Sequence, residues 1–254
     1  MQRLDTYDYS DMSGEQIDNL LASRILSYEK NIIANGNRRP KREGHIMERI
    51  CAMDNLREAF HEAKKKKSKN KLIKKYGNNL TNNLRALQLM LLTGNLPEVD
   101  YIEDDRKSDA GKVRRIVIKP FAPWHIIDHA VVQVIAPIIC KSLIYMTFSC
   151  IKGKGLHFGA QRFKKTLRLQ PQYTWRWQSD CKKFYQSIPH ELILNQLRNK
   201  FKDEQFIELI EKTALFYHTD KQTLDEIEHE RERTRFINRR LHKSAFRQLC
   251  SGEY

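Results

Sequence analysis

The stretch SDCKKFYQSIPH, Ser179 to His190, decides how this chain is read. Upstream of it Tyr173, Trp175, Trp177 and Ser179 alternate with Thr174, Arg176, Gln178 and Asp180, the period of a β-strand over residues 173–180. Two lysines and two aromatics follow. A helix is expected from near Ser187, with Leu192, Ile193, Leu197 and Phe201 facing inward. Asp180 therefore stands at the end of a strand, where a carboxylate is a rigid ligand. Phosphoryl transfer onto a nucleic acid uses two metals about 3.5–4 Å apart. The Cys181 carbonyl adds a ligand whatever its side chain, and Tyr185 is placed to pack beneath the sugar of a nucleotide. The plainer reading is that Asp180 caps a turn.

Working outward toward the N-terminus, SCIKGKGLHFGAQRFKKTL gives a basic glycine loop and then an amphipathic helix. Before it, Pro123 opens a helix through Ile126, Ile127, Ala130, Val131, Val134 and Ile135, which Pro137 should kink or end. Two β-patterned runs, Val99–Asp104 and Gly111–Pro120, flank the polar DRKSDAG and read as an antiparallel hairpin with Asp104 and Asp105 at its turn. Arg114, Ile116 and Ile118 share one face of the second strand; Val113, Arg115, Val117 and Lys119 share the other. Helices are expected over residues 14–35, over His45–Ala63 (Ile46, Ile50, Met53, Leu56 and Phe60 on one stripe) and over Leu80–Leu92. Lys64, Lys65, Lys66, Lys67, Lys69, Lys71, Lys74 and Lys75 lie between the last two. That run reads either as a solvated helix end and loop or as a patch that binds phosphates without regard to sequence.

Toward the C-terminus, Asp203 is placed to cap a helix carrying Phe206, Ile207, Ile210 and Ala214. From Lys221 onward the chain mixes charges densely and reads as an exposed helix.

The 254 residues carry a formal net charge of +15, which calls for an anionic partner, nucleic acid before membrane. The apolar segment Ile126–Ile144 is broken by Asp128, His129, Gln133, Pro137 and Lys141. It reads as a buried helix of a soluble protein, with no membrane partner. Five cysteines without a CxxC pair argue against a zinc ribbon and a disulfide framework. The acidic N-terminus does not read as a signal peptide, so the expected location is cytoplasmic. His125 and His129, four apart, read as core or helix-surface histidines before metal ligands. Trp175 and Trp177 read as core before base-stacking platform. The GKG at 153–155 lacks the GxxxxGK[ST] pattern of a phosphate-binding loop.

Three stretches together resemble reverse transcriptases of the group II intron, retron and diversity-generating retroelement type. DCKKFYQSIPH is similar to their first catalytic motif. KVRRIVIKP looks like their fingers strand, with Lys112 and Arg114 on its basic positions. CIKGKGLHFGA looks like their Arg-Lys-Gly-Lys-Gly-Thr-His loop, with Lys152, Gly153, Lys154, Gly155 and His157 matching and Ile151 where the family has arginine. The resemblance covers roughly residues 45–200. It implies an α+β fold: a helical N-terminal part and β-hairpin fingers (1–120), a partial, truncated polymerase palm (121–215) and a divergent charged helical tail (216–254). It implies Asp180 as catalytic residue, with the Cys181 carbonyl as a second ligand of Mg2+. It implies Lys112, Arg114 and Tyr185 at the nucleotide. The lysines from Lys64 to Lys75, with Lys152, Lys154 and His157, fall on nucleic acid. Expected partners are an RNA template, an RNA–DNA hybrid and another protein of the same retroelement. Residues 200–254 hold no Tyr/Phe-x-Asp-Asp, so the expectation is a truncated nucleotidyltransferase, inactive alone in RNA-templated DNA synthesis. The alternative is a non-catalytic RNA- or DNA-binding protein derived from one.

Overall fold

The computed structural model describes residues 4, 8–9, 11–36, 42–107, 111, 113–170, 178–179 and 188–217. The chain divides into two compact units: Met1–Arg176 with Leu194–Phe216, and Trp177–Ile193 with Tyr217–Tyr254. The expected strand 173–180 and the charged tail beyond 217 lie outside the described residues, apart from positions 178 and 179.

The described residues are mostly helical with one small antiparallel sheet, an α+β composition. In order come α1 (Gly14–Ala34), α2 (Ile46–Cys51), α3 (Met53–Lys64), α4 (Lys71–Asn78), α5 (Leu80–Thr93), β1 (Ile102–Lys107), β2 (Val113–Ile118), α6 (Ile126–Ser142), α7 (Leu156–Leu169), α8 (His190–Lys200) and α9 (Glu204–Thr213). α1 starts at a capping box between Ser13 and Gln16, and α5 stops at Gly94, whose positive φ suits glycine.

The expected helix from His45 to Ala63 is two helices. Ala52 leaves helical geometry with ψ 131°, and side chains from elsewhere satisfy the carbonyls freed at the break. Asn55 Nδ2 donates to Ile50 O at 3.1 Å and to Ala130 O at 3.2 Å. Gln88 Nε2 donates to Cys51 O at 2.9 Å. Two of the carbonyls freed at the break, Ile50 O and Cys51 O, thus have side-chain donors.

Ile50, Leu56, Leu84, Leu91, Ile126 and Phe206, all buried, represent the core that α2, α3, α5, α6 and α9 share; each such side chain contributes about 1.5–3 kcal/mol by leaving water. α6 packs its first turns, Ile126, Ile127, Ala130 and Val131, into that core beside α2 and α3. With the turn before it, the helical stretch Phe121–Ser142 has the length and composition to cross a membrane.

A five-residue π-type turn, Phe121–His125, leads into α6; Ala122 is its non-helical residue, so the helical course begins at Pro123 as expected. Other expectations need correcting. Pro137 does not end α6, which runs five residues further on partly exposed helix. Of the apolar positions Ile17, Leu20, Leu21, Ile25 and Leu26, whose helical spacing marks α1 in the sequence, only Ile17 and Leu21 are buried, and Leu26 is exposed. On α8 Leu192 points outward. Leu194 and Phe201 are buried in the first unit.

Asp203 sits just before α9 as expected but caps a different helix. Its carboxylate accepts from the backbone N–H of Ile46 and, at 3.3 Å, of Met47, at the start of α2. A parallel bridge between Glu43 and Phe201 brings the two segments together: Glu43 N donates to Lys200 O and Lys202 N to Glu43 O, each at 2.8 Å.

The hairpin is antiparallel in the register Ile102↔Ile118 through Lys107↔Val113. Asp104 and Asp105 are therefore strand residues, opposite Ile116 and Arg115, and do not lie in the turn.

Candidate nucleic-acid interface

The lysine run is a tight connection between two helices. α3 ends at Lys64, and Lys66 takes a left-handed conformation with φ 62°. Lys67 N donates to Lys64 O and Asn70 N to Lys67 O. Asn70 then caps α4 by accepting from Leu72 N at 2.9 Å. α4 is a helix where the sequence suggested loop. Ile73 anchors it, and Asn83 Nδ2 donates to Tyr76 O at 2.8 Å. The lysines are thus mounted on a fixed frame. Seven of the eight are exposed, and Lys64 is half-buried over the Phe60 ring. Lys65 pairs with Glu62 at 2.5 Å, and Lys67 lies 5.9 Å from the Phe121 ring centre. Lys66, Lys69, Lys71, Lys74 and Lys75 have no ion-pair partner among the described residues.

The glycine loop reaches this surface through one lysine. The exposed Glu62 carboxyl is held below its ordinary range first by the Lys65 hydrogen bond, with His129 and Lys152 adding attraction. Lys152 and His129 therefore stand in the same field as the lysine turn. His125 belongs to it as well: burial, then the charge of Lys67, pushes its ring below the ordinary histidine value. The turn meets the residues leading into α6 where Lys67 lies over the Phe121 ring.

Lys154 does not join them. It folds back to donate to Tyr145 O at 2.8 Å, 4.5 Å from the Tyr145 ring centre. The loop turns at Cys150 and Gly153, both at positive φ, which sends successive side chains different ways. His157 is exposed on the first turn of α7.

Nor does the described part of the hairpin offer free positive charge. Arg115 lies 3.5 Å from Glu103 and 3.4 Å from Asp105, and Arg106 pairs with Asp104 at 2.7 Å. Lys119 donates to Asp128 at 2.8 Å and to Thr213 O at 2.9 Å, fixing the foot of β2 to α6 and α9. Arg114 lies on β2 opposite Arg106. Lys112, Asp180, Cys181 and Tyr185 lie outside the described residues, as does the side chain of Arg114. Among the described residues no three His, Cys, Asp or Glu side chains converge as a metal site.

Sequence reasoning missed a second polar cluster. Arg24, Tyr28, His45, Glu48 and Asp203 line a cavity of about 340 Å3. Buried Glu48 accepts from Arg24 Nε at 2.9 Å and meets His45 Nδ1 at 3.0 Å. Burial alone would raise the Glu48 carboxyl; the His45 hydrogen bond, a backbone hydrogen bond and Arg24 together hold it below its ordinary range. Burial raises Asp203, against the two backbone donors that it caps. The cluster joins Arg24 and Tyr28 of α1, His45 and Glu48 at the start of α2, and the distant Asp203, and the sequence carried no signal that these three groups meet. They fasten α1 to α2 and supply no cation to the basic surface. The chain matches no protein-family model and no curated protein.

Proposed function

We propose that this chain is a reverse-transcriptase-like domain that holds the phosphate backbone of an RNA template or RNA–DNA hybrid. The observation that carries the reading is the lysine turn, where Lys66, Lys69, Lys71, Lys74 and Lys75 stand exposed with no ion-pair partner among the described residues; the reading adds the exposed Lys152 to it. Lysine is a compact, hydrated point charge and so neutralises phosphates without reading bases. Binding of this kind releases counterions and is indifferent to sequence. The three-motif resemblance supports the polymerase side of the reading, and residues 112–114 and 180–185 would meet the nucleotide.

In this reading Asp180 and the Cys181 carbonyl would hold magnesium, which would supply charge stabilisation for phosphoryl transfer. Those two groups are one side of a cage; magnesium is hard, near-octahedral and slow to shed water. The 254 residues carry no aspartate pair after Asp180. Purified as it stands, the chain binds primer–template and does not extend it. Extension that disappears in Asp180→Ala would overturn this, and Asp225, Glu226 and Glu228 would be the first carboxylates to replace. The same reasoning keeps the second reading, a nucleic-acid binder without polymerase activity, which shares the basic surface.

Lysine acetylation mapped by mass spectrometry, with and without an RNA hairpin, tests the joint surface. Lys66, Lys69, Lys71, Lys74, Lys75 and Lys152 become protected together, while Lys119 and Lys154 do not change. Protection of the lysine turn with Lys152 unaffected would separate the two parts. No protection anywhere would sink the reading.

A further inference from the structure

α7 is mounted with its apolar stripe outward. Its inner face is Phe158, Gly159, Arg162 and Thr166, the half-buried positions of the helix. Phe158 meets Phe148 with ring centres 5.8 Å apart, and a Cβ on Gly159 would come within 3.2 Å of the Phe148 ring. Arg162 donates to the Tyr145 hydroxyl at 2.5 Å. The outward side next to it carries Leu156, Ala160, Phe163 and Leu167 at steps of four, three and four. The three large side chains of that line are 85%, 52% and 42% exposed. A line this narrow at this spacing is the a/d seam by which one helix packs on another, narrower than the apolar face of a core helix.

The flank of the seam says what fits it. Lys164 and His157 take the edge positions, with Lys165 and Arg168 beyond. From residue 129 to residue 179 the chain has no aspartate or glutamate and eight lysines and arginines. A second copy of α7 would bring only further cations to the edge of the seam and no acid. Nucleic acid matches the cations but leaves two exposed leucines unused.

We infer that α7 docks an amphipathic helix of another polypeptide, with an apolar a/d seam edged by Glu or Asp. This inference does not rest on the polymerase reading. The docked helix buries Leu156, Phe163 and Leu167, and its acidic edge meets Lys164 and Arg168. Two heptads make a short contact, so the affinity is modest, in the micromolar range, about 8 kcal/mol.

The test uses the full chain and labelled synthetic peptides of about three heptads, read by fluorescence anisotropy. One peptide has a leucine seam edged by glutamate, one the same seam edged by lysine, and one the glutamate composition with the seam scrambled. The first binds, and each of the others binds at least about tenfold more weakly, a difference of roughly 1.4 kcal/mol. Phe163→Asp, at an exposed position, abolishes the preference while the thermal melt stays in place. Lys164→Glu with Arg168→Glu shifts the preference toward the lysine-edged peptide, which simple attraction to a basic protein does not do. Equal binding of the scrambled peptide overturns the proposal, as does full binding by Phe163→Asp. So does failure of the glutamate-edged peptide with Phe163-dependent binding of anionic phospholipid vesicles or of single-stranded RNA in its place.

Discussion

The helical body and the lysine turn use the same cationic side chains in opposite ways. In the body, cations are tied to acids or carbonyls from other elements. Arg24 reaches Glu48, Arg85 makes a two-pronged contact with Asp18 at 2.6 and 2.8 Å, and Lys119 is held by Asp128 and Thr213 O. In the turn, five lysines stand exposed with no acidic partner among the described residues. The difference separates charge that builds the fold from charge left over for a ligand. The net +15 alone did not make that separation, since it counts both kinds together.

The largest effect expected in the body comes from Glu48. Its side chain is 3% exposed and its partner Arg24 14%. Glu48→Gln removes the buried carboxylate charge that Arg24 and His45 both meet, and stability at neutral pH falls by about 3 kcal/mol. The pH dependence has a definite sign. Glu48 is held below its ordinary value, so its contribution is complete above the unfolded value of about 4.3 and is lost as pH falls through the folded value. Asp203 is raised and acts the other way: its contribution is complete below about 3.9 and is lost as pH rises through the folded value. Urea unfolding from pH 7 to pH 3 checks this. The Glu48→Gln variant loses less stability over that range than the parent, and an equal loss would show that Glu48 is not the titrating group. RNA affinity at neutral pH should hardly change in this variant wherever it stays folded. A loss comparable to that from removing lysines would break the contrast between body and turn.

A smaller effect is expected at the break between α2 and α3. Asn55→Ala leaves Ile50 O and Ala130 O without that donor and costs about 1–2 kcal/mol, measurable as a shift in the urea midpoint. A neutral substitution would mean that water replaces the amide and that Asn55 does not stabilise the break.

The sequence made some of this legible for reasons that can be located. The hairpin was readable because β-branched residues and a polar turn are local signals, as was α5, which ends on Gly94. The α2–α3 break was invisible because the apolar stripe runs through Ala52 without interruption. What separates the helices is satisfaction from Asn55 and Gln88, and Gln88 comes from another helix. Asp203 was expected at a helix start from a local rule, but the bridge to Glu43 put a second helix start within its reach. In the site, each cation was visible one at a time. That Lys152 shares a field with Lys65 while Lys154 turns toward Tyr145 depends on the course of the glycine loop, which composition does not specify. The outward seam of α7 was legible as amphipathicity, and its direction was not.

The central claim is that the uncompensated lysines of the turn are the phosphate-binding charge of this molecule. The direct measurement is RNA affinity over a salt series for the parent chain and for a variant with Lys66, Lys69, Lys71 and Lys74 all changed to Gln. For the parent, log K falls linearly and steeply with log salt. In the variant the slope is shallower by about 0.7–0.9 per lost contact, roughly 3 in total, with affinity reduced to a similar degree for unrelated RNA sequences. An unchanged slope in the folded variant, or a parent slope near zero, would contradict the account.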